Sequence, residues 1–229
     1  MSIAARLHEI RTRIGEAAAR AGRSPTDIRL IAVSKTFPIE AVRDAYAAGH
    51  RDFGENRVQE ALQKIAQAPE LDVRWHLIGH LQSNKARKAA EHCAAIHSID
   101  SVDLLKRVDA AAAAAGRHVD VLVQADLALE QTKHGAAVET LRAIFDEGTR
   151  CRAARLTGLM LIPPLSENPE DARVWFRQLR DQRDQLLAGG VAAPHLRELS
   201  MGMSHDFEVA IEEGATIIRI GTAIFGTRD

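Results

Sequence analysis

The chain has 229 residues, 46% of them hydrophobic but only 4% aromatic, so a core must be assembled from Ala, Leu, Ile and Val. Its 30 Lys and Arg balance 31 Asp and Glu; no global field recruits nucleic acid or an anionic membrane, and any phosphate recognition has to be local. The two cysteines, Cys93 and Cys151, form no CxxC pair, which argues against a disulfide framework and against a zinc site.

Residues 2–21 carry apolar side chains at helical spacing, interrupted by Arg6, Glu9, Arg11 and Arg13. This predicts a helix and not the apolar h-region of a signal peptide. No apolar run approaches the length of a membrane span, and the expected location is the cytoplasm. Beyond that helix a pattern recurs: a short β-branched or apolar run, a polar or Gly-containing loop, then an amphipathic stretch. The runs fall at 28–33, 50–53, 74–78, 95–99, 119–125, 156–161, 196–200 and 216–220 and predict eight strands. Helices are predicted at 39–48, 56–67, 84–92, 102–115, 135–148, 170–188 and 204–213. Such alternation implies right-handed crossovers and a parallel sheet. The prediction is an α/β fold: a single (β/α)8 TIM-type barrel domain over 1–229, with an extra N-terminal helix. An open doubly wound sheet is the alternative. The strand count, and the lack of GxGxxG after the first strand, weigh against it.

In such a barrel the functional residues lie at the C-terminal strand ends. The first strand delivers Lys35, in Ala32-Val33-Ser34-Lys35-Thr36. A barrel mouth partly desolvates an amine and raises the neutral fraction that Schiff-base chemistry needs; the competing reading is a surface loop lysine. The second strand leads to Gly54 and Asn56. Asn56 can hydrogen-bond a ligand or cap the helix predicted at 56–67, and the cap is the commoner role. In the third strand His76 and Ile78 share one face, with Gly79 and His80 at the mouth and Ser83 or Asn84 as a helix cap. The loop after the fifth strand holds Lys133, a rival to Lys35 for any aldehyde, although a solvated loop charge is its simpler reading. Pro163 and Pro164 stiffen the loop after the sixth strand.

The last two strand ends carry Ser200-Met201-Gly202-Met203-Ser204 and Arg219-Ile220-Gly221-Thr222. Glycines let backbone N–H groups approach an anion, and Ser and Thr add hydroxyl donors. The loops after strands 7 and 8 form the usual phosphate cup of a (β/α)8 barrel; a helix cap is the simpler role for Ser204. Arg219 lies inside a strand and needs a partner: a pyridine nitrogen, a carboxylate or a phosphate. Lys35 opposite a phosphate cup suggests one ligand with a carbonyl at one end and a phosphate at the other. Pyridoxal 5′-phosphate and a sugar phosphate both fit, and spacing does not choose between them.

In order, Ala32-Val33-Ser34-Lys35-Thr36, Phe53-Gly54-Glu55-Asn56, the run from Trp75 through Lys85, Leu199-Ser200-Met201-Gly202-Met203-Ser204 and the run from Arg219 to Gly226 resemble the pyridoxal phosphate homeostasis protein family. That family is related to the N-terminal barrel of alanine racemase. The resemblance covers essentially the whole chain; Leu77 and Ala89 depart from the family pattern as packing changes. It implies pyridoxal 5′-phosphate held as an internal aldimine on Lys35. It further implies Asn56 beside the cofactor, and a phosphate cup of Ser204, Gly221 and Thr222 shaped by Ser200 and Gly202. Arg219 would face the pyridine nitrogen, where a cation disfavours ring protonation and weakens the ring as an electron sink.

The implied role is vitamin B6 homeostasis without catalysis. The implied partners are the cofactor and pyridoxal-phosphate-dependent apo-enzymes, with no nucleic acid or membrane, and a monomer is expected. Two enzymatic alternatives stand beside it. A racemase needs a second acid–base group, which alanine racemase takes from a tyrosine of an added β domain. This chain is expected to lack that domain, and its one tyrosine, Tyr46, falls in the first barrel helix. A cofactor-free sugar-phosphate lyase would use Lys35 alone.

Overall fold

The computed structural model describes residues 1–128 and 135–227. Its described strands are β1 (Arg29–Val33), β2 (Asp52–Glu55), β3 (Arg74–Leu77), β4 (Ala95–Ile99), β5 (Val119–Gln124), β6 (Ala154–Met160), β7 (Glu198–Ser200) and β8 (Ile217–Ile220). They pair in chain order, all parallel, and β8 returns to β1 with Arg29 opposite Ile217 and Ala32 opposite Ile220. The barrel is therefore closed and leaves no edge exposed. The helices are α1 (Ile3–Arg20), α2 (Ile39–Ala47), α3 (Val58–Gln67), α4 (Ala86–His92), α5 (Val102–Ala114), α6 (Val138–Gly148), α7 (Arg173–Ala188), α8 (Phe207–Glu212) and α9 (Thr222–Phe225). The (β/α)8 barrel with an extra N-terminal helix is the fold predicted from the alternation.

Alternation along the strands, interrupted by irregularities in β4 and β6, separates two apolar layers. Outward residues such as Leu30, Ala32, Leu77, Ile96, Val121, Leu159, Leu199 and Ile218 merge with the helices into one large core. Inward residues form a small separate cluster of Ile31, Leu122, Met160 and Ile217. Between them stand polar inward residues: His76, His97, Ser200 and Arg219, all buried. The extra helix follows the same logic. Ser2 caps α1 by accepting the Ala5 N–H at 3.2 Å. Its stripe of Leu7, Ile10, Ile14, Ala17 and Ala18 is buried, and α1 packs on α2, α8 and α9.

Several elements begin later than the sequence pattern predicts, each for a local reason. The second strand starts at Asp52 because His50 closes the end of α2: its N–H bonds the Ala45 carbonyl, and its ring Nε2 bonds the Asp52 carbonyl at 2.8 Å. The third helix starts at Val58, with Arg57 in the cap position and no side-chain cap bond. Asn56 therefore caps no helix. Residues 135 and 136 are not helical, because Ala136 pairs back onto Ala125 of the chain leaving β5. The stretches 83–85 and 169–172 are tight 3-10 turns leading into α4 and α7. At 204–206 the chain turns, and Asp206 Oδ1 accepts the Met203 N–H at 2.6 Å, so α8 starts at Phe207. Among the described residues no helix is long and apolar enough to cross a membrane.

Candidate functional site

At the C-terminal ends of the strands the barrel opens into a cavity of about 480 Å3, within the range of about 300–1,000 Å3 usual for small-ligand pockets. Lys35 enters it directly after β1. The residues on either side of Lys35 are pinned from outside the cavity. Ser34 donates its hydroxyl to Glu55 Oε1 at 2.6 Å, and buried Lys64 donates to the Ser34 carbonyl at 2.7 Å. Lys64 also pairs with Glu55 at 2.6 Å and Glu60 at 3.0 Å. Glu60 accepts the N–H of Thr36, whose φ of 68° lies in the left-handed region that a β-branched residue avoids. The clamp thus holds a strained turn at the lysine. Burial pushes the Glu55 carboxyl up against the opposing pull of Lys64 and Ser34.

The adjoining wall is built by the loops after β7 and β8, β8 being the strand that pairs with β1 and not one across the barrel from it. Ser204 Oγ accepts the backbone N–H of Gly221 at 3.2 Å and of Ala223 at 3.4 Å. Ser204 therefore does not cap the helix that follows it. It reaches across to the start of α9 instead, where the amides on either side of Thr222 in the chain converge on one oxygen. That is a donor set suited to an anion.

Arg219 lines the cavity from the barrel interior and is 3% exposed. Its Nη1 donates to Ser200 O and Ser200 Oγ, both at 2.7 Å, and its Nη2 to Leu161 O at 2.8 Å. Burial lowers its pKa to about 10, with the nearby Asp206 charge opposing the drop; at neutral pH it remains a cation.

Of the residues expected at the site, Lys35, Asn56, Ser204, Arg219, Gly221 and Thr222 line the cavity. Ser200 and Gly202 do not. Ser200 is fully buried with its hydroxyl turned onto Arg219, so it supports the arginine from behind. Gly202 has φ of 92°, and a Cβ there would stand 2.6 Å from the Ala210 Cβ, so α8 packing accounts for this glycine. His80 also lines the cavity, its Nδ1 3.6 Å from Asp100 Oδ2. Lys133 lies outside the described residues. Tyr46 sits on α2 with Arg51 stacked 3.6 Å over its ring. Sequence reasoning did not find Phe37, Gln124, Met203 and His205 on the wall. It also missed His97, whose position in the middle of a predicted strand was the available signal.

Fold and site together define a (β/α)8 barrel that sets a strand-end lysine beside an amide-lined anion cup, on loops that follow neighbouring strands. The family described as alanine racemase, N-terminal domain, matches residues 6–229. The pyridoxal phosphate homeostasis protein of Aquifex aeolicus is 45% identical over 229 residues, covering 100% of this chain and 99% of that protein. The chain belongs to the pyridoxal phosphate homeostasis protein family, within the alanine racemase N-terminal domain family. The structure of PipY from Synechococcus elongatus with PLP bound is 43% identical, with a TM-score of 0.85 over 98% of this chain and 100% of that one. Alanine racemase from Corynebacterium glutamicum shares the fold: TM-score 0.72 at 17% identity, over 100% of this chain and 62% of that one.

Proposed function

We propose that this protein binds pyridoxal 5′-phosphate in the barrel mouth, attached covalently through Lys35, and serves vitamin B6 homeostasis in the cytoplasm as a holder of the cofactor and not as a catalyst. The observation that carries the reading is the cavity itself, lined by Lys35 after β1, by Ser204, Gly221 and Thr222 after the adjoining β7 and β8, and by Arg219 of β8. The donor set fits the group: an amine for the aldehyde, amides and hydroxyls for the phosphate, and a buried cation for the ring. The relatives' shared name and the PLP-bound PipY structure support the same reading.

When bound, the cofactor supplies a reactive aldehyde and a pyridine ring able to draw electrons from an attached amine. This chain's residues hold it and limit that reactivity. Ser204, Gly221 and Thr222 would anchor the phosphate by hydrogen bonds. Asn56 and Phe37 would border the ring. The Arg219 cation opposes protonation of the ring nitrogen and so weakens the electron sink. A monomer that exchanges cofactor with pyridoxal-phosphate-dependent apo-enzymes, and engages neither nucleic acid nor membrane, completes the proposal.

The racemase reading draws on His80, a titratable side chain on the cavity wall. It predicts exchange of the α-hydrogen of alanine in deuterated solvent, which the holder reading does not. The main test is the visible spectrum of the purified protein before and after borohydride, followed by mass spectrometry of the modified peptide. The expected result is a yellow protein with the pyridoxyl group fixed on Lys35, lost in Lys35→Ala. Label at full stoichiometry on Lys133 or another amine would move the anchor. A colourless protein that takes up no added pyridoxal phosphate would sink the reading in favour of the cofactor-free lyase.

A further inference from the structure

The barrel interior carries a polar chain that neither barrel closure nor the cavity wall requires. From the mouth downward, Arg219 Nη1 lies 2.7 Å from Ser200 Oγ, and Ser200 Oγ 3.0 Å from His97 Nδ1. His97 Nε2 lies 3.1 Å from His76 Nδ1, and His76 Nε2 3.0 Å from Asp52 Oδ1. Asp52 is held in turn by Arg74 Nε at 2.8 Å. These last two residues sit at the starts of β2 and β3, where Arg74 reaches solvent. The chain therefore spans the barrel from the cavity to its opposite end.

With neutral imidazoles, one proton assignment satisfies every contact. The Asp52 carboxylate can only accept, so His76 carries its hydrogen on Nε2 and offers Nδ1. His97 donates from Nε2 and accepts the Ser200 hydroxyl at Nδ1. Ser200 accepts from Arg219, which has nothing but donors. Every donor points the same way, from guanidinium to carboxylate, and hydrogen bonds aligned in this manner polarise one another. Such barrels usually fill their interior with Val, Ile and Leu. An apolar filling would cost less than buried polar groups with a charge at each end, so stability does not account for the chain. Its upper end is the guanidinium that faces the cavity.

We propose that Asp52, His76, His97 and Ser200 are positioning residues: they orient Arg219 and hold it as a cation against a ligand ring, linking the electronics of that ring to the far end of the barrel. Burial keeps the His97 imidazole neutral, with the Arg219 charge adding to the effect. Burial pushes the Asp52 carboxyl up, but the His76 and Arg74 hydrogen bonds outweigh it and hold that carboxyl well below the usual range. Both effects favour the single assignment.

The test uses the full chain labelled with 15N. Without ligand, the wild type should show His76 and His97 each as the Nε2–H tautomer. Asp52→Asn should then shift the His97 imidazole and Arg219 guanidinium resonances, although neither residue touches position 52. After loading with pyridoxal phosphate, the visible band of the variant should move relative to wild type. A change confined to His76, or a His97 that carries its hydrogen on Nδ1, overturns the proposal. If Asp52→Asn does not fold, Ser200→Ala cuts the chain at its other end; an unmoved His76 signal in that variant overturns it equally. The spectral arm rests on the proposed occupant. Should the wild type take up no pyridoxal phosphate, that reading fails, while the ligand-free spectra still decide the relay.

Discussion

Lys64 donates to the carbonyl oxygen of Ser34 at 2.7 Å, so a buried lysine on α3 grips the residue immediately before Lys35. The same amine neutralises Glu55, which is fully buried and leaves Oε2 without a hydrogen-bond partner. Lys64→Met would strand that carboxylate, and breaking a buried pair in this way costs about 3–5 kcal/mol. The urea midpoint should fall accordingly, and the double variant Lys64→Met/Glu55→Gln should recover part of the loss. Covalent cofactor yield at Lys35 should drop with the single variant, since the strained Thr36 turn loses its brace. A wild-type midpoint in Lys64→Met would show the clamp to be energetically idle.

Ser204 ties the loop after β7 to the start of α9. Ser204→Ala removes one hydroxyl from the anion cup. A hydrogen bond is worth about 0.5–1.5 kcal/mol net, so affinity for pyridoxal phosphate should weaken by up to about tenfold. Pyridoxal, which has no phosphate, should bind both proteins alike. Calorimetry in a Lys35→Ala background reads this without the covalent step; equal losses for both ligands would place Ser204 outside the phosphate contact.

Burial lowers the pKa of His50 from 6.5 to about 4, and its carbonyl contact with Asp52 only partly offsets the drop. The folded value lies below the unfolded one, so the unfolded chain binds the proton first as pH falls. The stability His50 contributes is fully present above pH 6.5 and is lost as pH falls towards about 4, by about 3 kcal/mol at most. His97 acts in the same direction. The Asp52 contribution is lost only below the ordinary aspartate value of 3.8. Urea midpoints measured against pH should decline across the histidine window, and His50→Gln should flatten part of that slope. An unchanged slope would locate the acid sensitivity elsewhere.

Two glycines should respond oppositely to alanine. At Gly79 a Cβ would lie 2.4 Å from the Asn56 carbonyl oxygen and 2.9 Å from its Cα, both backbone atoms. Gly79→Ala should cost about 1–3 kcal/mol and weaken cofactor binding by displacing the Asn56 turn. At Gly15, inside α1, no atom stands within 4 Å of the added Cβ. Gly15→Ala should raise stability by about 0.5–1 kcal/mol and leave binding untouched. Thermal melts and cofactor titration of the two variants check both halves.

The barrel was legible because its signals are local. A short apolar or β-branched run such as 95–99, followed by period 3.6 in stretches such as 102–114, marks each βα unit without knowledge of the others. Element starts were less legible where the chain folds back on itself: His50 onto α2, Ala136 onto Ala125, and Asp206 onto Met203. The three cap assignments failed too: Lys85, and not Ser83 or Asn84, stands at the cap of α4, with no side-chain cap bond. Arg57, not Asn56, precedes α3, and Ser204 spends its hydroxyl on a neighbouring loop.

By itself the sequence determined the α/β barrel, and it put Lys35 and Arg219 on strands whose ends meet at one mouth, because strand order and chain direction follow from the repeated βα unit. Only the tertiary structure decided what those residues touch. Ser200 and His97 are 103 residues apart, and His97 and His76 are 21 apart. Whether such groups come within hydrogen-bond distance depends on the register between strands and the closure of the barrel, and no local pattern encodes either. The same closure set the Ser200 hydroxyl, on a residue expected to shape the cup, against Arg219, and joined the cavity to Asp52 at the barrel's opposite end.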